Sequence, residues 1–218
     1  RGARHDRGAA RGVGRGGVRS GGNPLKEVAP VVNLQDIAVE TLAILDRGWY
    51  QAPEGQRVSI AAALAAAVAG TRLYRPHELD ELIAAGAHRR GRQAGAARRS
   101  RAALMVTGEK TQAAARRLVQ EAGHDDLVVL NFASATRVGG GFLKGARAQE
   151  EDLARVSGLY RCLETQPEYY ARNREAASPL YTDHVIPSPA VPWFRDADLA
   201  LLAAPYLAAV ITAPAPNA

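Results

Sequence analysis

The stretch LVVLNFASATRVGGGFLKGARAQEEDLARVSGLYRCL, from Leu127 to Leu163, puts the tightest constraint on how this chain folds. Residues 127–132 are a compact apolar run of strand length. A polar turn follows, then Gly139, Gly140 and Gly141. After seven further residues, Gln149, Glu150 and Glu151 open a segment whose Leu153, Val156, Leu159, Tyr160 and Leu163 form one helical stripe. Consecutive glycines take up positive φ and let backbone amides approach an anion with no side chain between, which is how a loop cradles a diphosphate. The two carboxylates then stand at a helix N-terminus beside that loop, where they complement the helix dipole. A strand that passes through such a loop into a helix builds a ligand site at the carboxyl end of the strand in an α/β fold. Each part alone is a weak signal, because three glycines also make a flexible turn and a Glu-Glu pair at a helix start also serves only the dipole.

The flanking rhythm extends the α/β reading. Behind Asn33 as a cap, residues 34–45 repeat Ile37, Ala38, Leu42, Ile44 and Leu45 at near-helical spacing. The alanine-rich run at 58–68 predicts a second helix ending at Gly70, and residues 77–85 a shorter third. Residues 88–101 carry Arg89, Arg90, Arg92, Arg98, Arg99 and Arg101 among glycine and alanine, and read as a surface loop or a frayed helix end. No aromatic is interleaved there to stack on bases, so a nucleic-acid contact is the weaker reading. Beyond it come a β-prone run at 103–107, an amphipathic helix at 111–122, the strand at 127–132, a helix over 150–163, a short helix at 167–174, and strands at 184–187 and 208–212. No internal repeat is visible. The expected organisation is a Gly/Arg-rich disordered tail at 1–30, an N-terminal helical region at 31–101 that includes the basic loop, and an α/β core at 102–218.

Composition excludes several classes. A chain of 218 residues, 47% of them hydrophobic, supports one core or one core with a small accessory element. The net charge of +6 is concentrated in residues 1–30, where seven basic groups face two acidic ones, so the remainder is nearly neutral at +1. A tail of glycine and arginine without aromatics buries too little apolar surface to order, and is read as passive rather than as an RNA- or DNA-binding arm. The single cysteine, Cys162, excludes an intramolecular disulfide framework and a multi-cysteine zinc site, which suits a reducing cytoplasm, and it reads as a small packed residue. Residues 60–70 and 199–213 are too alanine-rich or too interrupted to read as membrane spans, and the N-terminus does not read as a secretory signal or a mitochondrial presequence. His5, His77, His88, His124 and His184 are scattered without metal-ligand spacing, so no metal and no cofactor is expected. Asn131 and Ser134 sit where a strand end meets ligand, although capping a turn explains them equally well. Trp193 and Phe194 are read as anchors of a proline-rich loop.

Strand, GGG, seven residues and QEE together match the signature of the poly(ADP-ribose) glycohydrolases, and the flanking text resembles the microbial branch of that family. The resemblance extends over residues 37–49, 71–82, 107–109, 185–194 and the closing run 211–217, and so covers most of 34–218 outside the basic loop. It implies a macrodomain-like α/β/α arrangement of three layers with a mixed sheet and an N-terminal helical extension, and hydrolysis of ribose-ribose O-glycosidic bonds in poly(ADP-ribose). It further implies Glu151 as the catalytic acid, Gln149 and Glu150 as ribose-positioning residues, and Gly139, Gly140 and Gly141 facing the diphosphate. The implied ligand is ADP-ribose or its polymer, including polymer on modified proteins. Where family members carry Asn-Pro before the glycines this chain has Arg137-Val138; Arg137 cannot accept a hydrogen bond from a ribose hydroxyl but can reach a phosphate. The family continues past the point matching Ala218 with further strand and helix, a second glycine-rich loop over the diphosphate and an aromatic that stacks on adenine, so the sheet is expected to be incomplete.

The chemistry suits these residue types. Cleaving an acetal needs a proton on the departing oxygen while positive charge builds on the anomeric carbon, and one carboxyl can supply the first and, once ionised, stabilise the second and activate water. Held at a helix N-terminus, such an acid needs desolvation, a neighbouring carboxylate or the substrate's diphosphate to keep its proton. An ADP-ribose-binding module without efficient turnover is the alternative, and a nucleic-acid-associated protein acting through tail and loop is the third.

Overall fold

Asn33 caps the first helix, α1 (Leu34–Arg47), by accepting a 3.0 Å hydrogen bond from Gln35 N. The helix ends at Gly48, whose φ of +73° and N–H to the Ile44 carbonyl close it in the left-handed conformation. A Cβ at Gly48 would lie 2.7 Å from Ala61 Cβ, so this turn admits only glycine. In this computed structural model, which describes residues 32–93 and 102–216, a hairpin not expected from the sequence follows at once. Strands β1 (Trp49–Gln51) and β2 (Arg57–Ser59) pair antiparallel and push the start of the second helix from 58 to Ala61. Helix α2 (Ala61–Gly70) ends at Gly70 as predicted. Helix α3 (Pro76–Gln93) is longer than the predicted 77–85 and takes up the first part of the basic segment. The tail at 1–30 and residues 94–101 of that segment lie outside the described residues.

The run 103–107 is not a strand. Leu104, Met105 and Val106 are 93%, 72% and 88% exposed, and β-branched composition without a neighbouring strand does not make a sheet. Helix α4 (Thr111–Arg116) continues through a π turn at Arg117–Glu121 and leads into β3 (Val128–Ala133). The helix expected over 150–163 is two helices, α5 (Gln149–Val156) and α6 (Leu159–Glu164). Ser157 breaks them apart: its backbone is extended and bridges Trp193, while its hydroxyl donates to the Leu153 carbonyl at 2.7 Å. Helix α7 (Pro167–Glu175) follows, then β4 (Ile186–Arg195) and β5 (Leu201–Pro214), both longer than predicted. Trp193 and Phe194 are fully buried, but in β4 rather than in a loop. An edge strand tolerates Pro187, Pro189 and Pro192, and a register shift between Ser188 and Val191 absorbs the second of them.

The sheet runs β3-β5-β4, with β3 parallel and β4 antiparallel to β5, so it is mixed. One face packs Val129, Tyr206, Ala208 and Val210 against Leu153, Leu163, Cys162 and Tyr169 from the helices. A second cluster joins Ile44, Tyr50 and Ile60 to Phe142, Ala154 and Phe194. The described residues from Asn33 onwards belong to one unit, and Leu64 and Ala67 of α2 enter its core. The other sheet face leaves Val128, Leu130, Phe132, Leu207 and Ile211 exposed. Among the described residues no helix is long and apolar enough to cross a membrane, and no cluster of His, Cys, Asp or Glu is placed to hold a metal ion.

Candidate active site

The carboxyl end of β3, the glycine loop and the start of α5 converge on one point. Glu150 accepts from Ser134 N at 2.7 Å through Oε2, and Glu151 accepts from Gly141 N at 2.7 Å through Oε1. Both glutamates are buried, at 3% and 7% exposure. The glycines make this possible by close packing. A Cβ on Gly140, whose φ is +58°, would lie 2.5 Å from Glu151 Oε1 and 3.0 Å from Glu150 Oε2. On Gly139 it would lie 2.9 Å from the Tyr160 ring, and on Gly141 2.6 Å from Ala146 Cβ.

Each carboxyl therefore has one oxygen fixed by a backbone N–H, while Glu150 Oε1 and Glu151 Oε2 have no hydrogen-bond partner among the described residues. Both residues line a cleft of about 320 Å³, together with Ser134, Thr136, Ala148 and Tyr181. That volume lies in the range of small-ligand sites. Burial pushes the Glu150 carboxyl up to about 7, the Glu151 charge adds to this, and the Ser134 N–H and the Asn131 amide oppose it. Asn131 is itself buried and donates to Thr212 Oγ1 of β5 at 3.1 Å, which fixes the floor beneath Glu150. Glu150 thus holds a proton close to neutral pH.

Gln149 goes elsewhere. Its carboxamide accepts from Phe132 N at 2.9 Å and donates to the Leu130 carbonyl at 2.7 Å, pairing with the outer edge of β3 as a further strand would. It does not line the cleft. Of the glycine amides, Gly140 N–H is engaged by the Arg137 carbonyl at 3.1 Å and Gly141 N–H by Glu151, which leaves Gly139 N–H as the one of the three without a partner among the described residues. Arg137 is exposed and also outside the cleft lining, whereas Val138 packs against both core clusters.

Sequence reasoning missed the support of this loop. Arg155, fully buried on α5, donates to the Ala146 carbonyl and to Asp152 Oδ1 at 2.8 Å. It thereby holds the loop residue that packs on Gly141, and its spacing of four from Glu151 on a helix was the available signal. On the far side of the cleft loop, Arg174 Nη1 of α7 donates to the Thr136 carbonyl at 2.9 Å. No local pattern in the sequence points to that contact.

The chain matches the family described as microbial-type PARG, catalytic domain, over residues 38–196, a span that contains the whole carboxylate and glycine constellation. It belongs to this family. Solved structures agree with the microbial-type PARG assignment. Poly(ADP-ribose) glycohydrolase from Thermomonospora curvata bound to the inhibitor ADP-HPD superposes with a TM-score of 0.72 at 50% identity, covering 84% of this chain and 63% of that one. The Deinococcus radiodurans poly(ADP-ribose) glycohydrolase in complex with ADP-ribose gives 0.60 at 50% identity, covering 71% of this chain and 58% of that one. The chain thus spans less than two thirds of the length of these relatives. None of the curated proteins matches it.

Proposed function

We propose that this chain is a poly(ADP-ribose) glycohydrolase that hydrolyses ribose-ribose O-glycosidic bonds, with Glu151 as general acid and base. The observation that carries this reading is the pair of buried glutamates lining one cleft, each tied by one oxygen to a backbone N–H and each with its other oxygen buried and unpartnered among the described residues. Glu151 delivers a proton to the departing ribose oxygen, its carboxylate then faces the cationic anomeric carbon, and it takes a proton back from the attacking water. Gly141 N–H keeps the other oxygen of Glu151 in place throughout. Glu150, carrying a proton near neutral pH, donates to a ribose hydroxyl and limits the negative charge beside Glu151. The diphosphate of the substrate, near Gly139 N–H, adds a further reason for Glu150 to keep its proton in the complex.

The ligand is ADP-ribose or its polymer, including polymer carried on modified proteins, and nucleic acid is not a partner in this reading. A single buried cysteine suits a cytoplasmic setting. Release of free ADP-ribose from defined poly(ADP-ribose) tests the proposal. Glu151→Gln is expected to abolish release while binding of ADP-ribose stays within about threefold of wild type. Wild-type binding without release would favour the binding-module alternative, for which the exposed Arg137 in place of a ribose-binding amide is the supporting feature.

A further inference from the structure

The loop between α7 and β4 carries one residue that the mechanism does not use. Tyr181 lines the cleft with Glu150 and Glu151, is half-buried, and adopts φ +62°. Positive φ is a conformation that glycine, asparagine and aspartate adopt easily and a tyrosine does not. A turn needing only that backbone would be better served by one of those, so the choice of tyrosine calls for another reason.

The surroundings impose this geometry. Tyr181 N–H closes a turn on the Ser178 carbonyl at 3.0 Å, and Leu180 N–H is held by Ser178 Oγ at 3.2 Å. On the other side, the buried carboxamide of Asn173 accepts from both the N–H and the hydroxyl of Thr182, at 2.9 and 2.7 Å. The same amide donates to the Tyr169 carbonyl within α7, and the neighbouring Arg174 grips the Thr136 carbonyl in the opposite cleft wall. Tyr181 is therefore held on both flanks, and on one of them by a helix that also binds Thr136 of the cleft. Its own side chain makes no hydrogen bond and no ring pairing among the described residues, so no polar or aromatic partner within them accounts for the clamp.

We propose that Tyr181 is the aromatic wall of the ligand cleft, packing on the apolar face of the ribose whose hydroxyls Glu150 and Glu151 address. A ribose offers this pattern: hydroxyls on its rim suit carboxyls, and its C–H face suits a ring. The proposal rests on the reading of the cleft as an ADP-ribose site and adds the residue that selects a sugar there.

Calorimetric titration of ADP-ribose into the 218-residue chain and into Tyr181→Phe, Tyr181→Ala and Tyr181→Gly variants, each with a thermal melt, tests it. Tyr181→Phe should bind within about threefold of wild type, and the Ala and Gly variants should each bind about tenfold more weakly or worse. Glycine relieves the left-handed strain and alanine does not, so Tyr181→Gly should melt above Tyr181→Ala while binding no better. Affinity that tracks the melting order, or Ala and Gly variants that bind like wild type, would make Tyr181 a turn residue and overturn the inference. Absence of ADP-ribose binding by the wild type is a separate result: it removes the functional reading itself, and the assignment of Tyr181 with it.

Discussion

Glu150 couples the cleft to the stability of the whole domain. Its carboxyl is pushed up from 4.5 to about 7 in the folded chain, so between those values the folded form keeps a proton that the unfolded form releases. Stability then falls as pH rises through this window, by on the order of 3 kcal/mol for a group this well buried. Glu150→Gln retains an oxygen for the Ser134 N–H but does not titrate. Urea unfolding at pH 4.5 and pH 8 should therefore show the variant gaining on wild type at the higher pH, and an equal difference at both would show that Glu150 carries no proton. Gly140 is the second residue on which the site depends. Gly140→Ala places a Cβ 2.5 Å from Glu151 Oε1 at a φ of +58°. The left-handed strain costs about 1–2 kcal/mol before any displacement of the glutamate is counted. Loss of stability in a denaturant titration together with loss of ADP-ribose release is expected; a fully active Gly140→Ala variant would contradict the packing described here.

At the scale of elements, the register between β3 and α5 is set by a side chain. Gln149 pairs with Leu130 and Phe132 along the open edge of β3, so the helix that carries both glutamates starts from a fixed point on the strand. Gln149→Ala frees two backbone groups at a cost of about 1 kcal/mol. The checkable consequence is local: amide exchange at Phe132 should accelerate in the variant, while Val129, whose strand edge faces β5, should keep its protection. The strand, the glycine loop and the QEE start of α5 were legible because period and glycine content are local properties. The partner of Gln149 was not, since an edge exists only once the sheet order is known. The same limit explains the other differences. The run 103–107 has strand composition but no neighbour, the β1-β2 hairpin is too short to show alternation, and Ser157 breaks a continuous apolar stripe because Trp193 of β4 pairs with it from far along the chain. Prolines concealed β4, because they mark loops except on an edge strand whose N–H groups are not needed.

At the scale of the whole molecule, the decisive feature among the described residues, in a chain spanning under two thirds of its relatives' length, is a sheet with one face uncovered. Side chains at Val129, Ala208 and Val210 point into the core, while their alternates Val128, Leu130, Phe132, Leu207 and Ile211 remain exposed, with Leu130 and Ile211 directly paired across β3 and β5. Beside them run the exposed Met105 and Val106, which line a groove with Val128, Leu130 and Phe132. Contiguous apolar surface of this kind next to an edge strand drives association, and Gln149 protects only one segment of that edge. The chain should accordingly self-associate with rising concentration in sedimentation velocity. Leu130→Lys with Ile211→Lys puts two like charges side by side in the middle of the face without touching the buried alternates. Neither residue lines the glutamate cleft, so the double variant should sediment as a monomer while its ADP-ribose affinity stays within about threefold of wild type. Association unchanged by the two lysines would mean that the contact lies elsewhere; affinity lost with it would mean that the cleft depends on this face being covered.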